Sequence, residues 1–270
     1  MDLEELLLCP YSKNEVEINR DDDIVYVKSS DRTYPIKNTI IDFIPEINDE
    51  ISDAYDNVSS VYNSMLTSSN IITKLYNGVV WGLNDQDYVD RVLSCISDDF
   101  DGFILDVPVG SGVFTGKKYS NLKDAKIICV DYSYGMLMEA KKVYETNNIQ
   151  NVTLIRADVA NLPVKSLTID LLLTMNGLHA FPDKIRAIEE ITRVLKNNGN
   201  LIGCFYVKNR RKFSDLFIDN VYVRQKSFTP PFYTEEEFVN LLENNYKFMD
   251  KNNSKSIFYF HALKNNRNQL

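Results

Sequence analysis

A chain of 270 residues with 44% hydrophobic content can bury a sizeable core, and its length allows one large domain with an appendage or two small domains. No apolar run approaches the roughly 18 residues of a membrane span, and the start, Met-Asp-Leu-Glu-Glu, lacks the basic flank of a secretory signal, so a cytoplasmic protein is expected. The net charge of −8 argues against nucleic acid as the main partner, since phosphate binding draws on clustered Lys and Arg.

Residues 1–50 carry the apolar stretch Leu6–Cys9, the alternating Ile24-Val25-Tyr26-Val27 after the turn-prone Asp21–Asp23, then Tyr34-Pro35-Ile36 and Ile40–Pro45. They predict a small β-rich appendage. Residues 51–270 form the main domain, opening with a helical lead-in over 51–100, where Val89, Val92, Leu93 and Ile96 fall at spacings of three and four. Strands are predicted at 103–107, 126–131, 152–157, 168–175 and 200–207. Between them, Ser133 can cap a helix running to Thr146. A second helix, Asp183–Lys196, places Ile185, Ile188, Ile191 and Leu195 on one face and is closed by Gly199. This alternation predicts a parallel Rossmann-like sheet covered on both faces, with a ligand outside the carboxyl ends of the strands. Residues 208–233 interrupt the pattern as an insertion, and its basic run Lys208 to Lys212 reads as a solvated loop. Thr234 caps a helix to Leu242, and strands at 246–250 and 256–263, separated by Asn252-Asn253-Ser254, form a hairpin that adds an antiparallel edge. The four cysteines, Cys9, Cys95, Cys129 and Cys204, stand singly and read as reduced buried thiols.

The chemistry concentrates in residues 103–112, an apolar strand ending in Asp106 and then a glycine turn, Gly110-Ser111-Gly112. A phosphate-cradling loop offers bare N–H groups and often a Lys, whereas Asp106 repels phosphate and attracts an ammonium or sulfonium group. The turn therefore points to S-adenosylmethionine more than to a phosphate. A Walker loop fails, because Ser111 stands at its first Gly and Lys118 follows its Lys. The dinucleotide fingerprint reads as Gly110, Gly112 and Thr115 and is incomplete. Asp131 ends the second strand of this series, near the offset at which a nucleotide fold sets an acid against ribose hydroxyls, and Asp158 ends the third.

The ordered set resembles a class I S-adenosylmethionine-dependent methyltransferase over residues 50–263. It comprises Leu105 to Gly112, Val130-Asp131-Tyr132-Ser133 with Met136, Ala157-Asp158 with Leu162-Pro163, and Asn176-Gly177-Leu178-His179 before Phe181-Pro182-Asp183. The run Glu190 to Lys196 into Asn198-Gly199 belongs to the same likeness. The resemblance implies a seven-stranded sheet whose last strand is antiparallel. It further implies that Asp106 and Gly110, Ser111 and Gly112 hold the methionine end of the cofactor and that Asp131 binds the ribose. Tyr132 and Met136 would pack on adenine, Asp158 and Val159 would meet its edge, and Asn176, Gly177 and His179 would lie near the sulfonium and the acceptor. Pro108 stands where the family often has Gly, removing an N–H and fixing φ. Residues 1–50, through Leu8-Cys9-Pro10, Tyr34-Pro35-Ile36 and Ile41 to Pro45, resemble the zinc-ribbon-like modules of some RNA methyltransferases. Ser12 replaces the second Cys there, so no metal is expected and the module is held by its apolar core.

Methyl transfer from a sulfonium asks the protein mainly to align the nucleophile and exclude water, with a general base optional. His179 is the candidate base and Asn176 its neighbour; His261 reads as structural. Tyr55, Tyr62 and Trp81 on one side, and Phe217, Tyr222, Phe228 and Tyr233 on the other, are expected to cover the pocket, with Tyr62 touching the cofactor carboxylate or the substrate. The leading expectation is transfer to a small-molecule acceptor. The alternatives are an RNA methyltransferase and a cofactor-binding partner protein without catalysis.

Overall fold

Strand β5, Phe103–Asp106, lies at the centre of one sheet because its Ile104 and Leu105 point to opposite faces and both are buried completely. The computed structural model describes residues 3–21, 24–30, 32–44, 87–225 and 227–266. The expected lead-in over 51–86, with Tyr55, Tyr62 and Trp81, lies outside the described residues.

On one side of β5 run β6 (Lys126–Asp131) and β7 (Val152–Arg156), and on the other β8 (Ile169–Met175) and β9 (Leu195–Tyr206), all parallel. The hairpin β10 (Tyr246–Ser254) and β11 (Ile257–Lys264) completes this part, with β11 antiparallel between β9 and β10. These seven strands have the expected topology, an antiparallel last strand included. Four N-terminal strands continue the same sheet: β1 (Glu17–Asp21), β2 (Ile24–Lys28), β3 (Thr33–Lys37) and β4 (Ile40–Asp42). They are antiparallel to one another, and β4 then pairs parallel with β7, Ile41 opposite Ile155.

The two faces form two cores. Leu105, Ile128 and Ile155 meet Ala187, Ile191 and Val194 of the helix Lys184–Val194 and Phe238 of the helix Glu235–Leu242. Ile104, Ile127 and Cys129 meet Leu137, Ala140 and Tyr144 of the helix Tyr134–Thr146, with Val89 and Val92 of Asp87–Ser94. Ser133 and Asp183 cap their helices by accepting from the amides of Met136 and Arg186, and Thr234 with Glu237 forms a full capping box.

Several expectations are corrected. The helix begun by Asp183 stops at Val194, and Leu195 is already a strand residue opposite Ile169. The register with β8 then jumps, Leu171 facing Asn200, so residues 196–199, Asn198 and Gly199 included, form an irregular bulge inside β9 rather than a helix end. The hairpin turn is Lys255-Ser256, with Lys255 at φ 54°, because pairing runs on through Ser254 opposite Ile257; Asn252 and Asn253 are strand residues. Cys95 is only partly buried, whereas Cys9, Cys129 and Cys204 are buried, and all four are free thiols. The N-terminal segment, expected as a ligand-free zinc-ribbon-like module, is a meander joined through β4 to the sheet edge. Among the described residues no group of His, Cys, Asp and Glu could hold a metal ion, and no helix is long and apolar enough to cross a membrane.

Candidate cofactor and acceptor site

The carboxyl ends of β5, β6, β7 and β8 deliver Asp106, Asp131, Asp158 and Asn176 to one edge of the sheet. After Asp106 the chain stays tied to its neighbours, the Val107 amide donating to Leu173 O at 2.9 Å and that of Val109 to Val130 O at 3.0 Å. The Val107–Pro108 peptide is cis. Gly110 and Gly112 follow at φ 57° and 69°, a backbone that side chains rarely adopt. Gly110 donates its amide to Asp131 Oδ2 at 2.8 Å, and a Cβ built on it would meet nothing within 4 Å. At Gly110 the turn thus presents bare backbone to open space. Ser111 is buried behind it.

Asp131 is buried at the end of β6, and its Oδ1 accepts the Ser133 amide at 3.0 Å. Ser133 starts the next helix, which places Tyr132 half-buried and Met136 buried beside the acid. Asp158 is exposed and caps the short turn Val159–Asn161 by accepting the Ala160 amide at 2.8 Å, while Val159 is buried. Asn176 sits at φ 56° with its amide on Cys204 O at 2.7 Å. Gly177 presses on the proline of the first loop, since a Cβ there would lie 2.2 Å from Pro108 Cδ and 2.7 Å from Phe181 Cζ. The loops after β5 and β8 therefore pack directly on each other.

Charge is unevenly tuned here. Burial pushes the Asp106 carboxyl up to about 8, although Tyr119 donates a hydrogen bond that lowers it, and the Asp131 charge adds to the rise. His179 is pushed down to about 3, first by burial and then by the charge of Lys184. Its Nδ1 accepts the Tyr206 amide at 3.2 Å, and its ring lies 4.0 Å from that of Phe228. Phe228 also stacks on Tyr222 at 4.7 Å and meets Phe232 edge-on. Four hydrogen bonds pin this aromatic segment to the loop after β8. Thr229 donates its amide to His179 O at 3.0 Å and its hydroxyl to Ala180 O at 3.2 Å, and Lys184 Nζ bridges Phe181 O and Thr229 O. His261 faces Asn200 on β9, away from these groups.

The structure brings Asp106, Pro108, Gly110, Ser111, Gly112, Asp131, Asn176 and Gly177 together, with Tyr132, Met136, Asp158 and Val159 on the adjoining strand ends. Tyr62 lies outside the described residues. Sequence reasoning missed Tyr119 and Lys184. Lys184 did leave a signal, a cation in the first turn of a helix, where the macrodipole disfavours it.

A methyltransferase domain model matches residues 104–199. An uncharacterized chloroplastic methyltransferase of Arabidopsis thaliana is 34% identical over 111 residues, 40% of this chain and 32% of that protein. A demethylmenaquinone methyltransferase of Staphylococcus saprophyticus is 23% identical over 217 residues, 78% of this chain and 86% of that protein. The chain spans about a third of the length of the Arabidopsis relative. Among solved structures, a SAM-dependent methyltransferase of Aquifex aeolicus matches with a TM-score of 0.53 and 18% identity over 68% of this chain and 96% of that one. The [4+2]-cyclase SpnF matches with a TM-score of 0.63 and 16% identity over 80% and 95%. The chain has the class I S-adenosylmethionine-dependent methyltransferase fold, and S-adenosylmethionine is its cofactor. The residues present fit that group: a glycine turn with open space at Gly110, a buried acid at the end of β5 and a second acid at the next strand end.

Proposed function

We propose that the protein transfers a methyl group from S-adenosylmethionine to a small, planar, quinone-like acceptor held beside the loop after β8. The observation that carries this reading is the junction of Gly110 and Asp131 with the Pro108–Gly177 contact, which sets an acid-lined cofactor edge against the His179–Phe228–Tyr222 stack. The demethylmenaquinone methyltransferases among its relatives support the acceptor class.

In this reading Asp106 and the turn Gly110–Gly112 receive the ammonium end of the methionine, and Asp131 receives the ribose hydroxyls. Tyr132 and Met136 pack on adenine, with Asp158 and Val159 at its edge. Asn176 and Gly177 line the approach to the reacting methyl. The cofactor supplies a methyl group on a good neutral leaving group, so alignment and exclusion of water carry the reaction. The geometry favours His179 as part of the acceptor wall over its use as a base. Its Nδ1 is occupied and its basicity is low at neutral pH. The acceptor then loses its proton through its own acidity, as a phenol or an activated carbon can.

Calorimetric titration with S-adenosylmethionine and S-adenosylhomocysteine tests the cofactor site, and heat saturating at tens of micromolar is expected. Turnover is then followed with hydroquinones, aliphatic amines and RNA transcripts. Methylation of RNA alone would overturn the acceptor class, and binding without turnover of any nucleophile would favour a cofactor-binding protein without catalysis.

A further inference from the structure

Behind the glycine turn, Asp106 sits in a buried polar cluster whose tyrosines and thiol the proposed function does not use. Asp106 is 1% exposed, and the Tyr119 hydroxyl donates to its Oδ2 at 2.8 Å. Tyr119 is itself fully buried at the end of the short helix Gly116–Tyr119, the first helical turn after the loop. Its ring lies 6.1 Å from that of Tyr144. The Tyr144 hydroxyl pairs with Thr115 Oγ1 at 3.2 Å and with Cys129 Sγ at 3.7 Å, and Gly112 packs against the same ring. The loop is thus held at its root by one tyrosine and at its crest by another.

Tyr119 and the Asp131 carboxylate act electrostatically on Asp106, whose charge in turn acts on the Tyr144 and Cys129 side chains. Among the described residues no cation pairs with it. A carboxyl buried among phenols, a thiol and another carboxylate cannot ionise cheaply until a cation arrives.

We propose that Tyr119 is the positioning residue of the cofactor site: its hydroxyl orients the Asp106 carboxyl toward the cationic end of the ligand and makes cofactor binding proton-linked. This rests on the cofactor assignment made above. The ligand-free carboxyl holds a proton near neutral pH, since burial raises its pKa to about 8. Binding the cation leaves the carboxylate, and the proton goes to the buffer. Affinity therefore rises with pH until the ligand-free carboxyl is itself ionised. Without the Tyr119 hydrogen bond, ionisation is harder and the profile moves to higher pH.

The test is titration calorimetry with S-adenosylmethionine between pH 6 and 9, in pairs of buffers with different ionisation heats, on the wild type and Tyr119→Phe. Phe keeps the ring and removes only the hydroxyl. The wild type is expected to release a proton at pH 7. Tyr119→Phe is expected to bind about tenfold more weakly there, consistent with loss of a hydrogen bond to a charged group, and its pH midpoint is expected to lie higher. The ligand's own amine titrates alike in both proteins and cancels. Equal affinity and an equal midpoint would overturn the inference while leaving the cofactor site intact; a wild type that binds at no pH would overturn the cofactor site instead. Should Tyr119→Phe fail to fold, proton release by the wild type decides, and its absence at pH 7 would overturn the inference. Asp106→Asn gives the matching control, in which that release should vanish.

Discussion

His179 shows how burial changes the role that a residue type suggests. A histidine just past a strand end invites reading as a base, yet its Nδ1 takes the Tyr206 amide and its ring lies against Phe228. Its folded-state pKa, about 3, lies below the ordinary 6.5, so the unfolded chain binds more protons between those values. The stability linked to His179 is present above pH 6.5 and is lost as pH falls toward 3. The unfolding temperature of the ligand-free protein is therefore expected to drop between pH 6.5 and 5. In His179→Asn, which keeps an acceptor for the Tyr206 amide, the dependence should be flatter; parallel curves would contradict this account. The acids at the strand ends were legible in the sequence because a strand end is a local pattern. Tyr119 was not, because its partner lies on another element and no local spacing relates them.

At the level of elements, the segment carrying Tyr222, Phe228 and Phe232 has little regular structure and depends on its latch to the loop after β8. Lys184 is 4% exposed, and burial lowers its pKa to about 8. Its ammonium joins Phe181 O and Thr229 O. Lys184→Met keeps the aliphatic stem but removes both bonds, and a loss of about 1–3 kcal/mol is expected from leaving buried carbonyls unsatisfied. The same variant should be cleaved faster by protease within 222–232, compared at a pH where the wild type is protonated. Unchanged cleavage would mean that packing alone holds the segment. Helix starts at Ser133, Asp183 and Thr234 were readable from their capping side chains. The end at Val194 was not, because strand pairing of Leu195 with Ile169 outcompetes further helix, and that pairing is non-local.

Over the whole molecule, the sheet does not stop at the edge of the methyltransferase core. β4 pairs with β7, and Asp42 Oδ2 meets Arg156 Nη1 at 3.3 Å with both side chains mostly buried. Arg156 also donates through Nε to Tyr132 O at 3.0 Å, so the N-terminal strands brace a strand end of the proposed cofactor site. Asp42→Ala is expected to cost about 2–4 kcal/mol, since it leaves a mostly buried guanidinium short of its counter-charge. In scanning calorimetry the loss should appear as a lower temperature for one shared transition. A separate early transition, with the main one unmoved, would show that the N-terminal strands melt alone. The sequence by itself determined the strand-and-helix rhythm, the acids at the strand ends and the glycine turn, because periodicity, caps and turn residues act over a few neighbours. Only the tertiary structure decided the joining of the N-terminal strands to β7, the bulge in β9, the burial of His179 and the Tyr119 hydrogen bond to Asp106. Each of these is fixed by burial and by partners on other elements, and neither is encoded in local spacing.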